Sequence, residues 1–581
     1  MTRATPPQQR PSATDWQHVL ARDSFLERDA HARAAALLDP DSMRVLLGPF
    51  DRLESPWLEP QEIVPQFDDG VVIAKGTIDS RPVVVASIEQ KFQGGGIGEV
   101  SGAKISQLLR LAAEQSRTAT RTAAVILFET GGVRLQEANL GLNAVAEICS
   151  AILDLRRWAP VVGVVAGAVG SFGGLSIAVG LCSQLIVTRE ARIGLNGPAV
   201  IEQECGISEF DSSDKALIWS IDGGEQRVGT GLADELVLDD ASAIREAVTA
   251  AVGAPPKQAG THRSERTEVL SNRLALLDPA DPPEPGQLRR MWGPAYETVS
   301  ERRFARPASD EPASSRGATW LRLLARSAGG SAPVALIPSV LRADTADITY
   351  LAVVPDASNP FHRAREGQVG LSESLLLAEA VRAVARREAH KAAQDKRAVV
   401  AVVDLPSQAY GRIEEMAGLH QAIATAVDAY HSARLAGHPV IALVVGTALS
   451  GGFLAHGLQA NQMLALDDPG VEIHAMHKPA AARITQRTIE QLDALATIVK
   501  PLSYRVRDWA ALGFCDGLLS VSSADDPTES DLLLVRVAIA QAIERARTGP
   551  LDLSNRMTSA DAAKSRSASI AVRDRLARQW S

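Results

Sequence analysis

Two glycine turns carry the backbone groups of this chain that could do chemistry. One is Gly131-Gly132, which follows the apolar run RTAAVILF, and the other is Ser171-Phe172-Gly173-Gly174. A buried strand that ends in glycines at the start of a helix presents unpaired backbone N–H groups and the positive end of the helix dipole. Two such turns in one domain could converge on one oxygen and form an oxyanion hole, which suits the enolate of a thioester. The alternative is that these glycines only permit tight packing of helix against sheet.

The apolar stretch around the second turn occurs twice in the chain. Its first copy, PVVGVVAGAVGSFGGLSIAVGLCSQLI, spans residues 160–186 and predicts a buried strand, a tight turn and a buried helix. Its second copy spans residues 439–466, where Gly451-Gly452 correspond to Gly173-Gly174 at an offset of 278 residues. This repetition predicts a duplicated α/β domain whose two copies face each other.

A transmembrane helix is the alternative interpretation of the first copy. No charged residue lies between Val161 and Gln184, and a helix of that length would span a bilayer. The second copy contains His456 and Gln459, which make it too polar for lipid. We therefore predict a protein that does not cross a membrane.

Other polar and glycine-rich segments precede or follow the first turn. Gly95, Gly96 and Gly98, within QGGGIGEVSGAK, could hold a phosphate on backbone amides. No Walker lysine-serine pair follows them, so a structural turn is the alternative. Arg134 and Glu137 could contact substrate, or they could belong to a solvated first helical turn.

Length and composition limit the classes of protein. With 581 residues, the chain suits two large domains and a linker. A net charge of −9 argues against a nucleic-acid surface, and the four scattered cysteines suggest neither zinc binding nor disulfides. The N-terminus has no apolar segment typical of a secretory signal, so we expect a cytoplasmic protein.

Composition also predicts the domain boundaries. The segments are a disordered N-terminus (1–15), a first domain (16–277), a linker rich in proline and serine (278–316), a second domain (317–550) and a loose C-terminal tail (551–581).

The motifs of the two domains resemble a known family. QGGGIGEVSGAK, TGGVRLQE and GSFGG, in that order, resemble the β-type half of acyl-CoA carboxyltransferases, and VVDLPSQAYGRIEE with LSGG resembles the α-type half. Among these families the sequence is most similar to biotin-independent malonate decarboxylases, with the β and γ subunits fused. The resemblance implies an α/β fold of two tandem crotonase-like domains of the ClpP/crotonase superfamily.

The resemblance also implies an activity and partners. The expected reaction is decarboxylation of a malonyl thioester on an acyl carrier protein, which gives an acetyl thioester and carbon dioxide. The thioester arm, of dephospho-coenzyme A type, would belong to a separate carrier subunit, and an acyl-carrier transferase subunit would be a further partner. We expect a homo-oligomer without bound biotin or metal and without nucleic-acid partners.

Site roles follow from the same resemblance. Backbone amides of the first-half turns would hold the thioester oxygen, and amides near Gly451 and Gly452 would orient the departing carboxylate. Tyr410, His474, His477 or a bound water would protonate the carbanion. The residues expected to contact the substrate or its arm are Gly95, Gly96, Gly98, Arg134, Glu137 and Gln408.

The chain lacks two motifs found in related biotin-dependent or carrier proteins, and two alternative functions stay open. The segment Ala475-Met476-His477-Lys478 only superficially resembles a biotin-attachment motif, and the chain has no Asp-Ser-Leu carrier motif. One alternative is a biotin-dependent carboxyltransferase or decarboxylase acting on acyl-CoA. The other is a non-catalytic scaffold that organises carrier-protein partners.

Overall fold

A seven-stranded mixed sheet forms the centre of the first half of the chain. The computed structural model describes residues 20, 22–304 and 314–580. From one edge of the sheet to the other, the strands are β1 (Arg44–Leu46), β2 (Val71–Ile78), β3 (Arg81–Ile88), β4 (Ala123–Phe128), β5 (Val161–Val165), β6 (Gln184–Thr188) and β7 (Glu235–Val237). The first three strands are antiparallel to one another, and β3 to β7 are parallel.

An eight-stranded sheet repeats this plan in the second half. Its strands are β8 (Val334–Ile337), β9 (Val340–Asp344), β10 (Ile348–Val353), β11 (Ala398–Leu405), β12 (Val440–Leu449), β13 (Gln462–Leu466), β14 (Ile473–His474) and β15 (Gly517–Leu519). The spatial order is β15-β13-β12-β11-β10-β9-β8, and β14 pairs with β12. Two antiparallel connections again precede a run of parallel strands, so the predicted duplication of an α/β domain is confirmed.

Helices connect the parallel strands in both halves. Those of the first half are α1 (Ala30–Leu37), α2 (Glu99–Thr118), α3 (Ala138–Leu155), α4 (Gly174–Leu181), α5 (Pro198–Cys205), α6 (Lys215–Asp222), α7 (Gly224–Gly229), α8 (Ala241–Gly253), α9 (Thr267–Leu274) and α10 (Pro285–Trp292). Those of the second half are α11 (Arg316–Ser327), α12 (Leu371–Arg387), α13 (Arg412–Met416), α14 (Leu419–Leu435), α15 (Ser450–Ala455), α16 (Lys478–Ile484), α17 (Ile489–Ala496), α18 (Val506–Trp509), α19 (Glu529–Thr548), α20 (Ala560–Ser565) and α21 (Ser567–Gln579).

The repeated apolar stretch folds as predicted. Its first copy forms β5, the Gly170–Gly174 turn and α4, followed by β6, so it is not one membrane-spanning helix. Among the described residues, one other segment, Leu135–Leu155, is long and apolar enough to span a bilayer. It is 94% buried inside the protein, as expected for a core helix.

The two halves pack face to face within this one chain. Helices α3 and α4 of the first half contact α14 and α15 of the second. At Gly180 in α4, an added Cβ would lie 2.9 Å from the Cβ of Ala424 in α14, so a glycine permits this close approach. Residues at the starts of α4 and α15, Gly174 and Gly451, line one cavity between the two halves.

The C-terminal residues do not form the loose tail that the sequence predicted. Helix α21 packs on α2 of the first half, and Arg566 and Arg573 donate to the buried carboxylate of Glu147 at 2.9 and 2.6 Å. Burial disfavours the ionised carboxylate, but the two arginines outweigh this effect and hold the pKa of Glu147 at about 2. The C-terminal helices therefore attach the second half to the first.

The predicted linker is partly ordered, and the other predicted segments lie partly outside the described residues. The predicted linker contains the ordered helix α10 and the start of α11, so it is not irregular throughout. Residues 305–313 and the predicted disordered segment 1–15 lie outside the described residues.

Candidate active site

The two predicted glycine turns of the first half meet at the carboxyl ends of β4 and β5. Thr130 pairs with Ser171 in a parallel bridge, and the Phe172 amide donates to the Thr130 carbonyl at 3.0 Å. Gly132 and Gly173 both adopt positive φ, and a Cβ on Gly173 would lie 2.9 Å from the Gly132 Cα. The two turns therefore touch each other, and side chains are excluded at the point of contact.

The amides predicted to stabilise the oxyanion are already engaged within the protein. Gly131 donates to the Gly94 carbonyl and Gly132 to the Thr130 hydroxyl, each at 2.9 Å. The Gly173 amide donates to the Leu195 carbonyl at 2.8 Å. Of the predicted donors, the amides of Gly131, Gly132 and Gly173 are therefore not free to bind a substrate oxygen.

Free donors lie one step further along the chain. Gly174 and Leu175 begin α4, so their amides have no intrahelical acceptor, and they have none among the other described residues. Gly174 lines the cavity, whereas Ser171 and Phe172 do not. The hydroxyl of Ser171 is buried without a hydrogen-bond partner, and Phe172 packs beneath the Arg192 guanidinium. These two residues support the turn and do not face the cavity.

A cavity of about 370 Å³ lies between the two halves at this point. The first half contributes Gln93, Gly94, Gly96, Gly131, Val133, Arg134, Leu135, Gln136, Leu142, Gly173, Gly174, Leu195, Asn196, Gly197 and Val200. The second half contributes Gln408, Tyr410, Ser450, Gly451, Leu454, Ala475, Met476 and Ile484. Apolar walls with a few polar groups are typical of a small-molecule site.

Arg134 is the one charged residue among the described residues that line the cavity. Its guanidinium is buried and paired with Asp69 at 2.6 Å and with Glu137 at 2.7 Å. Glu137 does not line the cavity; its carboxylate also accepts from the Ser55 hydroxyl and the Glu99 amide. Both side chains are thus buried and ion-paired, whereas the alternative interpretation placed them in a solvated first turn of a helix.

The glycine-rich loop before α2 contributes less than predicted. Gly96 lines the cavity, but Gly95 and Gly98 are packed so tightly that an added Cβ would overlap Glu129 or Glu137. The amides of Gly95, Gly96 and Gly98 donate to Phe92, Gln93 and Ser101. A structural turn therefore explains these glycines better than a phosphate cradle does.

The repeated turn of the second half is closed by a side chain. Gln408 accepts a hydrogen bond from the Gly451 amide at 2.8 Å, and its own amide donates to Asn196 at 2.7 Å. Gly452 packs against the Ser407 carbonyl, which an added Cβ would approach to 2.6 Å. The Gly451 amide is thus not available for the departing carboxylate.

The candidate proton donors differ in their access to the cavity. Tyr410 lines it, and burial raises the pKa of its phenol above the ordinary value, so the hydroxyl keeps its proton. His474 does not line it; the ring is buried and stacked on Tyr504 with 3.9 Å between ring centroids. Burial lowers the pKa of His474 to about 3, so the ring is neutral near pH 7. His477 caps the start of α16 and is not a lining residue.

Sequence reasoning missed the loop that joins the two halves at the cavity. The segment GLNGP, residues 194–198, predicts only a turn. In the structure, Leu195 and Asn196 line the cavity, and their amides donate to Glu415 of the second half. No local pattern indicated this contact, because its partners lie 219 or 220 residues apart.

Family comparisons match both halves. Residues 30–300 match the carboxyl transferase domain, and residues 364–580 match the malonate decarboxylase gamma subunit. A malonyl-S-ACP:biotin-protein carboxyltransferase, MADC of Malonomonas rubra, is 39% identical over 283 residues, which are 47% of this chain and 89% of that protein. The chain belongs to the carboxyltransferase-like subunits of malonate decarboxylases. The predicted crotonase-like fold and the predicted family are both confirmed.

Two further proteins are similar to part of this malonate decarboxylase subunit pair. MADD of the same organism, also a malonyl-S-ACP:biotin-protein carboxyltransferase, is 37% identical and aligns with 26% of this chain and 52% of its own length. A chain of a Pseudomonas malonate decarboxylase hetero-tetramer in complex with malonate is 56% identical, with a TM-score of 0.46. The match covers 48% of the present chain and 99% of the Pseudomonas chain.

Proposed function

We propose that this chain decarboxylates a malonyl thioester carried on a separate acyl carrier protein, without biotin, and releases an acetyl thioester and carbon dioxide. The observation that carries the proposal is the cavity between the halves. Free amides lie at the start of α4, and the described residues of the cavity wall include no unpaired cation.

The amides of Gly174 and Leu175 suit the thioester oxygen. As the carbon–carbon bond to the carboxylate breaks, negative charge moves onto that oxygen, and the helix start stabilises it. Stabilisation that is stronger in the transition state than in the bound substrate accelerates the reaction. Gly174 is among the residues that the sequence predicts for the oxyanion hole, and Leu175 is an addition to them.

The charge of the walls supports decarboxylation. Arg134 is neutralised by Asp69 and Glu137, so the substrate carboxylate meets mainly uncharged groups such as Asn196, Gln408 and Ser450. A free arginine would stabilise the carboxylate before the bond breaks and would thus raise the barrier. Neutral donors bind the substrate without this penalty.

Tyr410 is the proposed proton donor. Tyr410 lines the cavity, and its hydroxyl stays protonated near neutral pH because burial raises its pKa. Loss of carbon dioxide needs no base, but the enolate carbon must gain a proton to give the acetyl product. His474 is a weaker candidate, because its buried ring is neutral and lies outside the lining.

The partners complete the proposal. An acyl carrier protein would deliver the thioester on its prosthetic arm, of dephospho-coenzyme A type, and an acyl-carrier transferase would load that arm. The cavity wall contains Val133, Leu142, Val200 and Ile484, which suit the apolar parts of such an arm. We further propose that the protein acts in the cytoplasm, as a homo-oligomer within this complex.

A second function has one observation in its favour. MADC of Malonomonas rubra is named as a carboxyltransferase to a biotin protein. In that case the enolate would form in the same cavity, but the carboxyl group would pass to biotin.

Intact mass spectrometry of a malonylated carrier tests both functions. Loss of carbon dioxide from the carrier, at the same rate with and without a biotin protein, is the expected result. A strict requirement for biotin or for a biotin protein would replace the first proposal by the second. Binding of the carrier with no mass loss under either condition would favour the scaffold alternative.

A further inference from the structure

Glu415 of helix α13 contributes a buried carboxylate to the contact between the halves. It accepts three hydrogen bonds, all from the Leu195-Asn196 loop of the first half. The Leu195 amide donates at 2.8 Å, the Asn196 amide at 2.7 Å and the Asn196 side chain at 2.8 Å. Burial raises the pKa of Glu415, whereas the three N–H donors and the nearby Arg227 favour its charged form. A carboxylate held by three donors fixes the position of this loop.

The same loop contacts the repeated turns of both halves. The Leu195 carbonyl accepts from the Gly173 amide at 2.8 Å, directly before the start of α4. The Asn196 side-chain oxygen accepts from Gln408 at 2.7 Å, and Gln408 in turn accepts from Gly451. A displacement of this loop would therefore move the proposed oxyanion donors and the opposite cavity wall together.

A buried arginine holds the glutamate from its other side. Arg227 donates to the main-chain carbonyl of Glu415 at 2.9 Å and to that of Ile193 at 2.8 Å. It also pairs with the Asp222 carboxylate at 2.9 Å. This arrangement connects α13 to the segment that precedes the loop, so Glu415 has little freedom to move away from it.

From this geometry we infer that Glu415 is a positioning residue for the reaction, acting through Leu195 and Asn196. Its carboxylate does not line the cavity, so it acts on the start of α4 and not on the substrate. The inference rests on the proposed function, because it explains how the second half prepares the oxyanion donors of the first. It also explains why the first half would depend on the second for catalysis.

The test is Glu415→Gln in the full chain, assayed with the malonylated carrier. Glutamine keeps the size of the side chain but places an NH2 group against backbone N–H donors, so the loop loses part of its anchor. We expect kcat to fall about 10- to 100-fold with KM changed less than about threefold. Hydrogen exchange at Leu195 and Asn196 should become faster.

Glu414→Gln is the matched control. Glu414 is the neighbouring buried glutamate, and burial raises the pKa of its carboxyl to about 8, so glutamine resembles its protonated form near neutral pH. We expect wild-type kcat and wild-type exchange of the loop. Equal losses of kcat in both variants would overturn the inference, because general damage to α13 would then explain them.

Two further outcomes are decisive. A folded Glu415→Gln enzyme with wild-type kcat would also overturn the positioning role. If that variant does not fold, Glu415→Asp keeps the charge but shortens the side chain and should lower kcat by about tenfold; an unchanged kcat would then count against the inference. An inactive wild-type chain would refute the proposed function, whereas the exchange measurement would still report on the loop.

Discussion

The two copies of the glycine turn have the same place in their sheets but different hydrogen bonding. In the first half, Gly173 has a φ of +60° and precedes two free amides at the start of α4. In the second half, Ser450, one residue before the position that corresponds to Gly173, has a φ of +58°, and the Gly451 amide is occupied by Gln408. The first turn therefore presents the free Gly174 amide to the cavity, whereas the amide of the cavity-lining Gly451 is occupied by a side chain.

This difference shows how a duplicated domain can divide its tasks. The open turn could stabilise a developing negative charge, whereas the closed turn contributes a wall and a contact through Asn196 to the opposite half. Symmetry of sequence therefore does not imply symmetry of chemistry. Four substitutions test this contrast.

The largest effect is expected for Gly173→Ala. The new Cβ would lie 2.9 Å from the Gly132 Cα on a backbone that disfavours side chains, so the start of α4 must shift. Loss of one oxyanion donor typically costs about 100- to 1000-fold in kcat, and we expect a fall of that size. Gly293→Ala is the control, because Gly293 has a φ of +69° but no atom within 4 Å of the added Cβ. Wild-type turnover in folded Gly173→Ala would remove the distinction between the turns.

Tyr410→Phe should have the next largest effect. Removal of the proposed proton donor should lower kcat about 10- to 100-fold with little change in KM. Because burial raises the pKa of Tyr410, the wild-type hydroxyl remains protonated, and kcat should not fall between about pH 6 and pH 9 through loss of this proton. Measured kcat values across that range check both statements. If Tyr410→Phe turned over as fast as the wild type, water would be the proton donor.

Gly451→Ala should lower kcat by less than about tenfold. Its Cβ would lie 3.0 Å from the Gln408 side-chain oxygen, which can move because it ends a flexible side chain. Comparison of kcat with that of Gly173→Ala tests the contrast directly. Equal losses would mean that both turns act on the substrate.

The smallest effect on turnover is expected for His474→Gln. The ring is already neutral near pH 7, so its loss should change kcat less than about threefold. Loss of the stacking on Tyr504 should lower the free energy of unfolding by about 1 kcal/mol. Urea denaturation and the malonylated-carrier assay measure the two quantities. A fall in kcat as large as that of Tyr410→Phe would restore His474 as a proton donor.

The sequence predicted the scaffold well, because periodic burial leaves a local pattern. The apolar runs and the 278-residue repeat led to β4, β5 and β12 and to the glycine turns between strands and helices. The C-terminal helices were missed, since their arginines look solvent-exposed in sequence, although Arg566 and Arg573 pair with the buried Glu147.

The details of the site could not be predicted, because hydrogen-bond partners far apart in sequence decide them. The Gly173 amide donates to the Leu195 carbonyl, and the Gly451 amide donates to the Gln408 side chain. Arg134 forms an ion pair with Asp69. The sequence alone does not show whether the amide of a glycine, or the side chain of an arginine, is already bonded to another part of the chain. The resemblance to carboxyltransferases identified the turns but did not distinguish free amides from occupied ones.

The attachment of α21 to the first half has a consequence for how the molecule can be produced. Because Glu147, Arg566 and Arg573 hold the second half by contacts outside the peptide connection, a chain divided between residues 304 and 314 should reassemble from co-expressed pieces. Because the C-terminal helices already hold the two halves together, the covalent fusion would mainly fix a one-to-one ratio of the halves.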